Sequence, residues 1–260
     1  MPTIGSAQLL EAIDEVTLKC YYNFTFQRDS TDTGSTNENK TVLLIGDSVS
    51  MFYAYGNYYM DSVIIANPKS DGTVLSSLLR NRPRFSYHWQ VLKNNQSHNI
   101  TTFDYIMPDS YKYHEDITHE WLLSGETKYL KGYVVQKATT QFAGRQWIAW
   151  FSPEIPINDG PYKFFGLPGL ILQVEDSMQY FVFQIQSIIR PVTGSEMIYH
   201  RKRSYIETTK SQFFAARERF RQDIISGLLT SGVPVHEDTD LDRAQKNMLR
   251  RNNPIELIVN

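Results

Sequence analysis

The sequence has a single cysteine, a small net charge and no long apolar run. Cys20 is the single cysteine among 260 residues, so no disulfide can form within the chain, and the count does not fix the redox compartment. The formal net charge of −2 argues against the dense basic face of a nucleic-acid-binding protein. No apolar run approaches the ~20 residues of a membrane-spanning helix. Residues 1–8 lack the basic and apolar regions of a secretory signal.

Aromatic residues are abundant, with 16 Tyr, 14 Phe and 4 Trp, and aromatic side chains suit the half-buried surface of a β-sheet. Residues 17–27 give the clearest local pattern, because apolar and mostly polar side chains alternate along them. This period of two predicts a strand with Leu18, Tyr22 and Phe26 buried. The other segments with strand-like composition are 41–45, 48–53, 86–92, 99–107, 115–123, 129–142, 146–151, 170–175 and 180–189.

One long amphipathic helix is predicted at about residues 209–229, where Phe213, Phe220 and Leu228 lie on one face. The polar residues 28–40 predict an exposed loop, and residues 233–260 an extended tail. We expect residues 1–260 to form one mainly β (α+β) domain, a curved antiparallel meander sheet or half-barrel covered by this helix. Such an arrangement is similar to the half-barrel of periplasmic lipoprotein carriers, a likeness at the level of fold.

Residues 144–172 carry the most specific pattern, GRQWIAWFSPEIPINDGPYKFFGLPGLIL. Three prolines forbid a regular helix in its middle. The hexapeptide at 166–171 and its flanking Ala-Trp-Phe, Pro-Glu-Ile-Pro and Gly-Pro-Tyr-Lys-Phe resemble the GLPGLI family. The resemblance covers residues 119–189 and a Pro-Ile-Glu-Leu at 254–257. One departure is Gln136, where we expect a cysteine in many relatives, so any role of that cysteine is absent here.

The GLPGLI resemblance implies an exported protein of the Gram-negative envelope, periplasmic or associated with the outer membrane, whose signal peptide precedes this sequence and has been removed. The function of the family is largely unknown. The hexapeptide itself has two interpretations. As a structural turn, Gly166 and Gly169 would allow positive φ or close backbone approach, and Pro168 would fix the backbone between them. As part of a ligand site, the candidate residues are Trp147, Trp150, Phe165, Leu167 and Pro168.

The segment from Val42 to Ser48 raises an enzymatic alternative, because it resembles the first block of GDSL-type serine esterases. Such an enzyme needs a histidine to deprotonate Ser48 and an aspartate to orient that histidine. Asp116 and His119 have the required spacing but lie in mid-chain, and the Gly-x-Asn-Asp block of that family is missing. A turn in a β-hairpin is the favoured interpretation.

The sequence predicts no cofactor and no metal site. His114 and His119, flanked by acidic residues, are five positions apart, which places them together on neither a helix nor a strand. We therefore expect them to be solvated surface histidines.

Together these observations predict a non-enzymatic envelope protein that binds a hydrophobic ligand or a protein partner on a concave aromatic sheet face. Nucleic-acid binding and a transmembrane segment are not expected. The alternatives are a serine esterase that uses Ser48 and an interaction subunit of an outer-membrane complex. An apolar cavity would favour ligand binding, whereas an exposed apolar patch would favour the interaction subunit.

Overall fold

The computed structural model describes residues 9–70, 72–97, 99–232 and 240–257. The expectations for residues 1–8 and 233–239 lie outside these ranges. The first half contains the strands β1 (Leu10–Glu15), β2 (Leu18–Gln27), β3 (Thr36–Ile45), β4 (Val49–Ala54), β5 (Gln90–Asn94), β6 (Asn99–Ile106) and β7 (Asp109–Asp116). The second half contains β8 (Leu122–Leu130), β9 (Tyr133–Phe142), β10 (Arg145–Ser152), β11 (Leu170–Asp176), β12 (Phe181–Ile189), β13 (Met197–Arg201) and β14 (Ile206–Glu207). The helices are α1 (Tyr55–Ala66), α2 (Gly72–Leu78), α3 (Lys210–Gln222), α4 (Ile224–Thr230) and α5 (Leu241–Leu249).

Twelve of these strands form one large curved sheet that does not close into a barrel. Their order is β14-β7-β6-β5-β4-β3-β2-β12-β11-β10-β9-β8. Strands β2 to β7 form one antiparallel meander, strands β8 to β12 form another, and β2 pairs with β12 to join them. Only the short β14 runs parallel to its neighbour among the described strands. The prediction of a mainly β, curved antiparallel sheet is therefore confirmed.

Strand β2 shows how the sequence pattern becomes a core. The predicted strand at 17–27 is confirmed, and its five alternate apolar side chains are at most 1% exposed: Leu18, Cys20, Tyr22, Phe24 and Phe26. The ring of Phe24 stacks on Phe183 of the neighbouring β12 with centroids 4.1 Å apart. This pair joins the two meanders through apolar contact as well as through backbone hydrogen bonds.

The sheet is buried on both faces near β3. Leu43 and Ile45 belong to the large aromatic core, whereas Val42 and Leu44 pack on the opposite face with Met51. The separate pair β1–β13 and helix α1 cover this second face. Because the side chains on both faces of β3 are buried, this strand contains an uninterrupted run of apolar residues.

The predicted single helix at 209–229 is interrupted. Helix α3 ends at Gln222, and Asp223 caps α4 by accepting a hydrogen bond from the backbone N–H of Ser226 at 2.9 Å. An aspartate side chain that bonds to the backbone competes with helix continuation. Helix α3 contacts the sheet at β6 and β7, at one end, and also packs against α4 and α5. The fold thus has several helices rather than one that covers the sheet.

Other boundaries also differ from the prediction. The polar loop at 28–40 is shorter, because β3 begins at Thr36, and the tail contains helix α5 rather than being extended throughout. The predicted strand at 115–123 is wrong, since β7 ends at Asp116 and β8 begins at Leu122. Among the described residues, no helix is long and apolar enough to span a membrane.

Candidate functional site

A cavity of about 490 Å³ lies between the sheet, helix α3 and the C-terminal segment. Its floor is aromatic. Phe26 stands at the end of β2, and Tyr87 and Trp89 lie just before β5. The Phe26 and Tyr87 rings meet edge to face with centroids 4.8 Å apart, and the Tyr87 and Trp89 centroids are 5.7 Å apart. Contacts of this kind fix the rings against one another, so the floor is formed before any ligand enters.

Helix α3 provides the roof of this cavity. Its start is held by a capping box in which Thr209 and Gln212 bond to each other's backbone N–H groups. Phe214 and Arg217, one turn apart, both line the cavity. The guanidinium carbon of Arg217 lies 4.3 Å from the centre of the Phe214 ring, so the cation is held over an aromatic face.

Four arginines line the cavity: Arg28, Arg217, Arg221 and Arg251. Two of them face carboxylates, since Arg221 lies 2.6 Å from Glu218 and Arg217 lies 3.9 Å from Asp104. Arg28 instead donates a hydrogen bond of 2.6 Å to the hydroxyl of Ser86. The cavity wall therefore carries more positive than negative charge around its aromatic floor.

Arg251 has no carboxylate within ion-pair distance among the residues that the structure describes. Burial, and then the nearby charge of Arg28, lower the pKa of the Arg251 guanidinium, which still remains charged at neutral pH. Two like charges without a counter-ion, beside a cavity, form an attractive position for an anionic group.

Asp104 lies on the opposite wall, with a side chain that is 10% exposed. Burial raises the pKa of its carboxyl to about 6, although Arg217 and the backbone N–H of Tyr105 lower it. Burial also lowers the pKa of His88, helped by Arg82 and Arg251. The charge of the cavity consequently changes in the mildly acidic range.

A buried ionic network lies next to the cavity. Lys163, which is fully buried, bonds to Glu115 and lies 2.7 Å from Glu256, and Lys210 lies 2.7 Å from Glu115 and 2.5 Å from Glu256. Tyr162 donates a hydrogen bond to Glu256. Burial alone would raise the pKa of Glu256, but the two lysines lower it to about 2. The Gly-Pro-Tyr-Lys-Phe and Pro-Ile-Glu-Leu segments, almost a hundred positions apart, meet in this network.

Arg145 fixes the same C-terminal segment. Its guanidinium donates to the side-chain oxygen of Asn253 at 2.6 Å, to the carbonyl of Pro254 at 2.7 Å and to the carbonyl of Ile255 at 3.2 Å. Asp176 lies 3.1 Å away and balances its charge. The segment that closes one side of the cavity is thus held by buried, charge-assisted hydrogen bonds.

None of the five residues predicted for ligand binding lines this cavity. Trp147 and Leu167 are at most 1% exposed and belong to the core. Trp150 is half-buried beneath the ammonium of Lys128, which lies 4.1 Å from its ring, and Pro168 is exposed. Phe165 lines a second, smaller cavity of about 330 Å³. The structure therefore does not gather these five side chains around one ligand.

The glycines of the hexapeptide occupy positions that a side chain would disturb. Gly166 has φ of +97°, in the left-handed region. A Cβ at Gly169 would lie 2.2 Å from the carbonyl oxygen of Ser152. The turn is tied to its surroundings as well, since Trp121 donates a hydrogen bond of 2.7 Å to the carbonyl of Phe165. These constraints are what a structural turn requires.

A helix that covered the whole sheet would place Phe220 near Leu170 and Leu172, and the structure does not have this packing. Leu170 and Leu172 lie in the aromatic core, whereas Phe220 packs at the far end of the sheet, against the cluster of Phe213 and Phe214. Ile171 pairs with Phe151 across a β-bulge in β10–β11. The helix is displaced from this strand because its contacts with the sheet are at β6 and β7.

Ser48 stands in the turn of the antiparallel hairpin β3–β4, where its backbone N–H donates to Asp14 at 2.7 Å. A GDSL-type nucleophile requires a strand followed by a helix, so the Ser48 segment does not have that context. Among the described residues, no cluster could hold a metal ion.

The two histidines near the middle of the chain differ from each other. His114 is exposed and lies 3.4 Å from Glu207. The expectation of a solvated His119 is wrong, since it stacks on Phe164 at 5.6 Å and burial lowers its pKa to about 4. The neutral ring donates from Nε2 to the carbonyl of Lys163 at 2.8 Å.

Comparison with known proteins gives one short family match and a likeness in fold. A family model described as a protein of unknown function (Porph_ging) matches residues 142–173. No curated protein matches the sequence. Two solved structures of PNGF-II, in space groups P21 and C2, are similar in fold with TM-scores of 0.52 and 0.50. They are 15% and 14% identical to this chain over 77% of its length.

The chain covers 33% and 32% of those two PNGF-II chains, so it spans about a third of their length. At such low identity the likeness concerns the fold alone. The family match includes the proline-rich segment that leads into β11 and ends within that strand.

Proposed function

We propose that the protein is a non-enzymatic binding protein whose ligand combines an aromatic or other apolar body with an anionic group. The observation that carries this proposal is an aromatic cavity floor beside Arg28 and Arg251, neither of which has a carboxylate within ion-pair distance among the described residues. The family resemblance of residues 144–172 supports an exported location in the bacterial envelope, which remains part of the proposal.

The dimensions and chemistry of the cavity agree with this ligand class. Its volume of about 490 Å³ falls within the range of about 300–1,000 Å³ that is usual for small-molecule sites. An apolar body would cover Tyr87 and Phe220, which line the cavity and are partly exposed, and would thereby remove aromatic surface from water. A carboxylate, sulfonate or phosphate would accept paired hydrogen bonds from the planar guanidinium groups.

Isothermal titration calorimetry with a matched pair of probes tests the proposal. Naphthalene-2-sulfonate and 2-methylnaphthalene share one apolar body and differ in charge. We expect the sulfonate to bind, the neutral probe to bind at least about tenfold more weakly, and Arg251→Gln to lose about tenfold in sulfonate affinity, or about 1.4 kcal/mol. Arg219→Gln, an exposed α3 arginine outside the cavity, is the control and should leave the affinity unchanged. Equal affinity for both probes, or an unaffected Arg251→Gln variant, contradicts the proposal.

A second candidate function rests on the free edge of the sheet. Strand β8 ends the strand order, and Leu122, Leu123 and Tyr129 on it are 73%, 56% and 82% exposed. An exposed apolar edge strand is a template for pairing with another chain. Multi-angle light scattering of the wild-type protein and of Leu123→Lys tests this role. If the edge self-associates, the wild type is a dimer and Leu123→Lys is a monomer. A monomer in both cases excludes homodimerisation through this edge.

A further inference from the structure

The second cavity, of about 330 Å³, lies away from the arginine-lined one. The turn between β3 and β4 lines it with Asp47, the end of β5 with Lys93 and Asn95, and the loop before β11 with Asn158 and Asp159. Most of these side chains are polar, so this cavity differs in chemistry from the aromatic one. Its volume is at the lower end of the usual range for small-molecule sites.

A buried ion pair forms part of the wall. The side chains of Lys93 and Asp159 are 5% and 6% exposed, and the Lys93 ammonium bonds to Asp159 Oδ1. Lys93 also donates to the carbonyl of Gly160 at 2.6 Å, and the backbone N–H of Gly160 donates to the same Oδ1 at 2.7 Å. Two donors, the Lys93 ammonium and the Gly160 N–H, therefore bond to the same carboxylate oxygen of Asp159.

The second carboxylate oxygen of Asp159 differs from the first. Asp159 Oδ2 is buried and has no hydrogen-bond donor among the described residues. A buried carboxylate oxygen without a donor is costly, and such atoms in folded proteins call for a partner. Lys93 uses two of its three ammonium protons on Asp159 and Gly160, so the pair retains capacity for one acceptor bond and one donor bond.

A hydroxyl group matches both capacities, because it donates one hydrogen bond and accepts others. A ligand ammonium would meet the charge of Lys93, and a ligand carboxylate would meet those of Asp159 and of Asp47, which also lines the cavity, so a neutral ligand avoids like-charge contact with either side. Asn95 and Asn158 each use one side-chain atom within the protein, towards Gly46 and Gly166, and keep amide groups for further hydroxyls. Phe165 adds an apolar surface.

We propose that this second cavity binds a small, neutral, polyhydroxylated molecule of monosaccharide size, with one hydroxyl bridging Asp159 Oδ2 and Lys93 Nζ. The site does not depend on the ligand of the larger cavity, since the two share no lining residue.

The same cavity brings together two sequence segments that bear on the esterase alternative. Gly46 and Asp47 belong to the segment that resembles the nucleophile block, and Asn158-Asp159 is an Asn-Asp pair that follows Pro156-Ile157 and so lacks the glycine of the Gly-x-Asn-Asp block. No histidine is among the lining residues, and Ser48 is not among them either. A binding role accounts for the gathered polar groups without a nucleophile and its base.

Saturation-transfer-difference NMR with glucose, mannose and myo-inositol tests the site, with propylammonium and acetate as charged comparators. Thr17→Trp narrows the cavity at an exposed lining residue and leaves the ion pair in place. The paired change Lys93→Met with Asp159→Asn removes the hydroxyl-binding groups without leaving an isolated buried charge. Arg251→Gln, in the other cavity, is the matched control, and thermal melts report folding of every variant.

The expected result is saturable transfer to at least one of the three polyols, reduced at least about tenfold in affinity, or about 1.4 kcal/mol, by Thr17→Trp and by the paired change. Arg251→Gln should bind the polyol as the wild type does, even if naphthalene-2-sulfonate fails to bind anywhere. Binding of propylammonium or acetate in place of the polyols overturns the proposal. Absence of transfer to all three polyols, or polyol binding that survives in a folded Thr17→Trp variant, overturns it as well.

Discussion

Two lysines with side chains at most 5% exposed are each paired with carboxylates, yet their surroundings differ. Lys163 joins Glu115, Glu256 and Lys210 in a network that fixes the C-terminal segment. Lys93 pairs with Asp159 alone, next to a cavity, and one carboxylate oxygen has no donor among the described residues. In the Lys163 cluster each carboxylate meets two cations, whereas the Lys93–Asp159 pair can still form hydrogen bonds to a ligand.

Both clusters depend on one loop. Asp159 and Lys163 are four positions apart, in the segment between β10 and β11 that the family model matches. Buried ion pairs contribute little net stability when replaced as a whole, but removal of one partner strands a charge in the interior. The two clusters should therefore respond differently to single and paired substitutions.

The largest effect is expected for Lys163→Met. The change leaves Glu115 and Glu256 with Lys210 alone in a buried position, so the free energy of unfolding should fall by about 5 kcal/mol, near the upper end for a broken buried pair. Urea unfolding followed by tryptophan fluorescence measures it. Lys210→Met is the comparison, because Lys210 is 36% exposed and should cost less. Equal losses of unfolding free energy in the two variants would contradict the expectation that the more buried lysine contributes more to stability.

The same network predicts a pH dependence. The folded pKa of Glu256 is about 2, below the ordinary value of 4.5, so its stabilisation is present above pH 4.5 and is lost as the pH falls towards 2. Urea midpoints between pH 5 and about pH 2 should fall steeply in the wild type. Glu256→Gln should be less stable at pH 5 and have a shallower slope, and an unchanged slope contradicts this assignment.

Asp159→Asn should have the next largest effect, a loss of about 3 kcal/mol, because Lys93 then keeps a buried charge without its counter-ion. The paired change Lys93→Met with Asp159→Asn should recover at least half of this loss. A double-mutant cycle by urea unfolding gives the coupling. Additive losses from the two single changes would show that the ion pair is not a unit.

Gly169→Ala should disturb the loop that carries both clusters. The new Cβ would lie 2.2 Å from a backbone oxygen of Ser152, so we expect a loss of more than about 1 kcal/mol. At Gly166→Ala the nearest atom is 3.3 Å away, and positive φ alone should cost about 1 kcal/mol. Thermal melts compare the two variants. If both melt like the wild type, the hexapeptide is not a structural brace.

The smallest effect concerns the larger cavity. The pKa of Asp104 is raised from 3.8 to about 6, so its contribution to stability is present at acid pH and is lost as the pH rises through 6. Protonation also removes a negative charge, so sulfonate affinity should rise a few-fold, roughly 1 kcal/mol or less, as the pH falls from 7 to 5. Calorimetry of Asp104→Asn should give a flatter profile. A profile as steep as that of the wild type contradicts this assignment.

The sequence predicted those parts of the fold that local patterns determine. Strand β2 follows from its period of two, and the β11–β12 hairpin from the polar Asp176-Ser177-Met178-Gln179 turn. The break at Asp223 was missed, because apolar residues continue at helical spacing on both sides of it. Helix α1 was missed as well, since it has no clear apolar face.

The candidate site could not be predicted in the same way. Arg28, Tyr87, Arg217 and Arg251 come from four distant segments, and tertiary contacts alone bring them together. Aromatic richness indicated a binding face, but it directed attention to Trp147, which fills the core. One signal in the sequence was the position of Arg217, one turn after Phe213 and Phe214 and one turn before Phe220, which places a charge next to the apolar side of the helix.

A crystal structure of the protein with naphthalene-2-sulfonate tests the central claim most directly. The account predicts one ligand in the larger cavity, with the sulfonate within hydrogen-bond distance of Arg28 and Arg251 and the naphthyl group against Tyr87 and Phe220. A ligand bound elsewhere, or an empty cavity in crystals grown at saturating sulfonate, would contradict it.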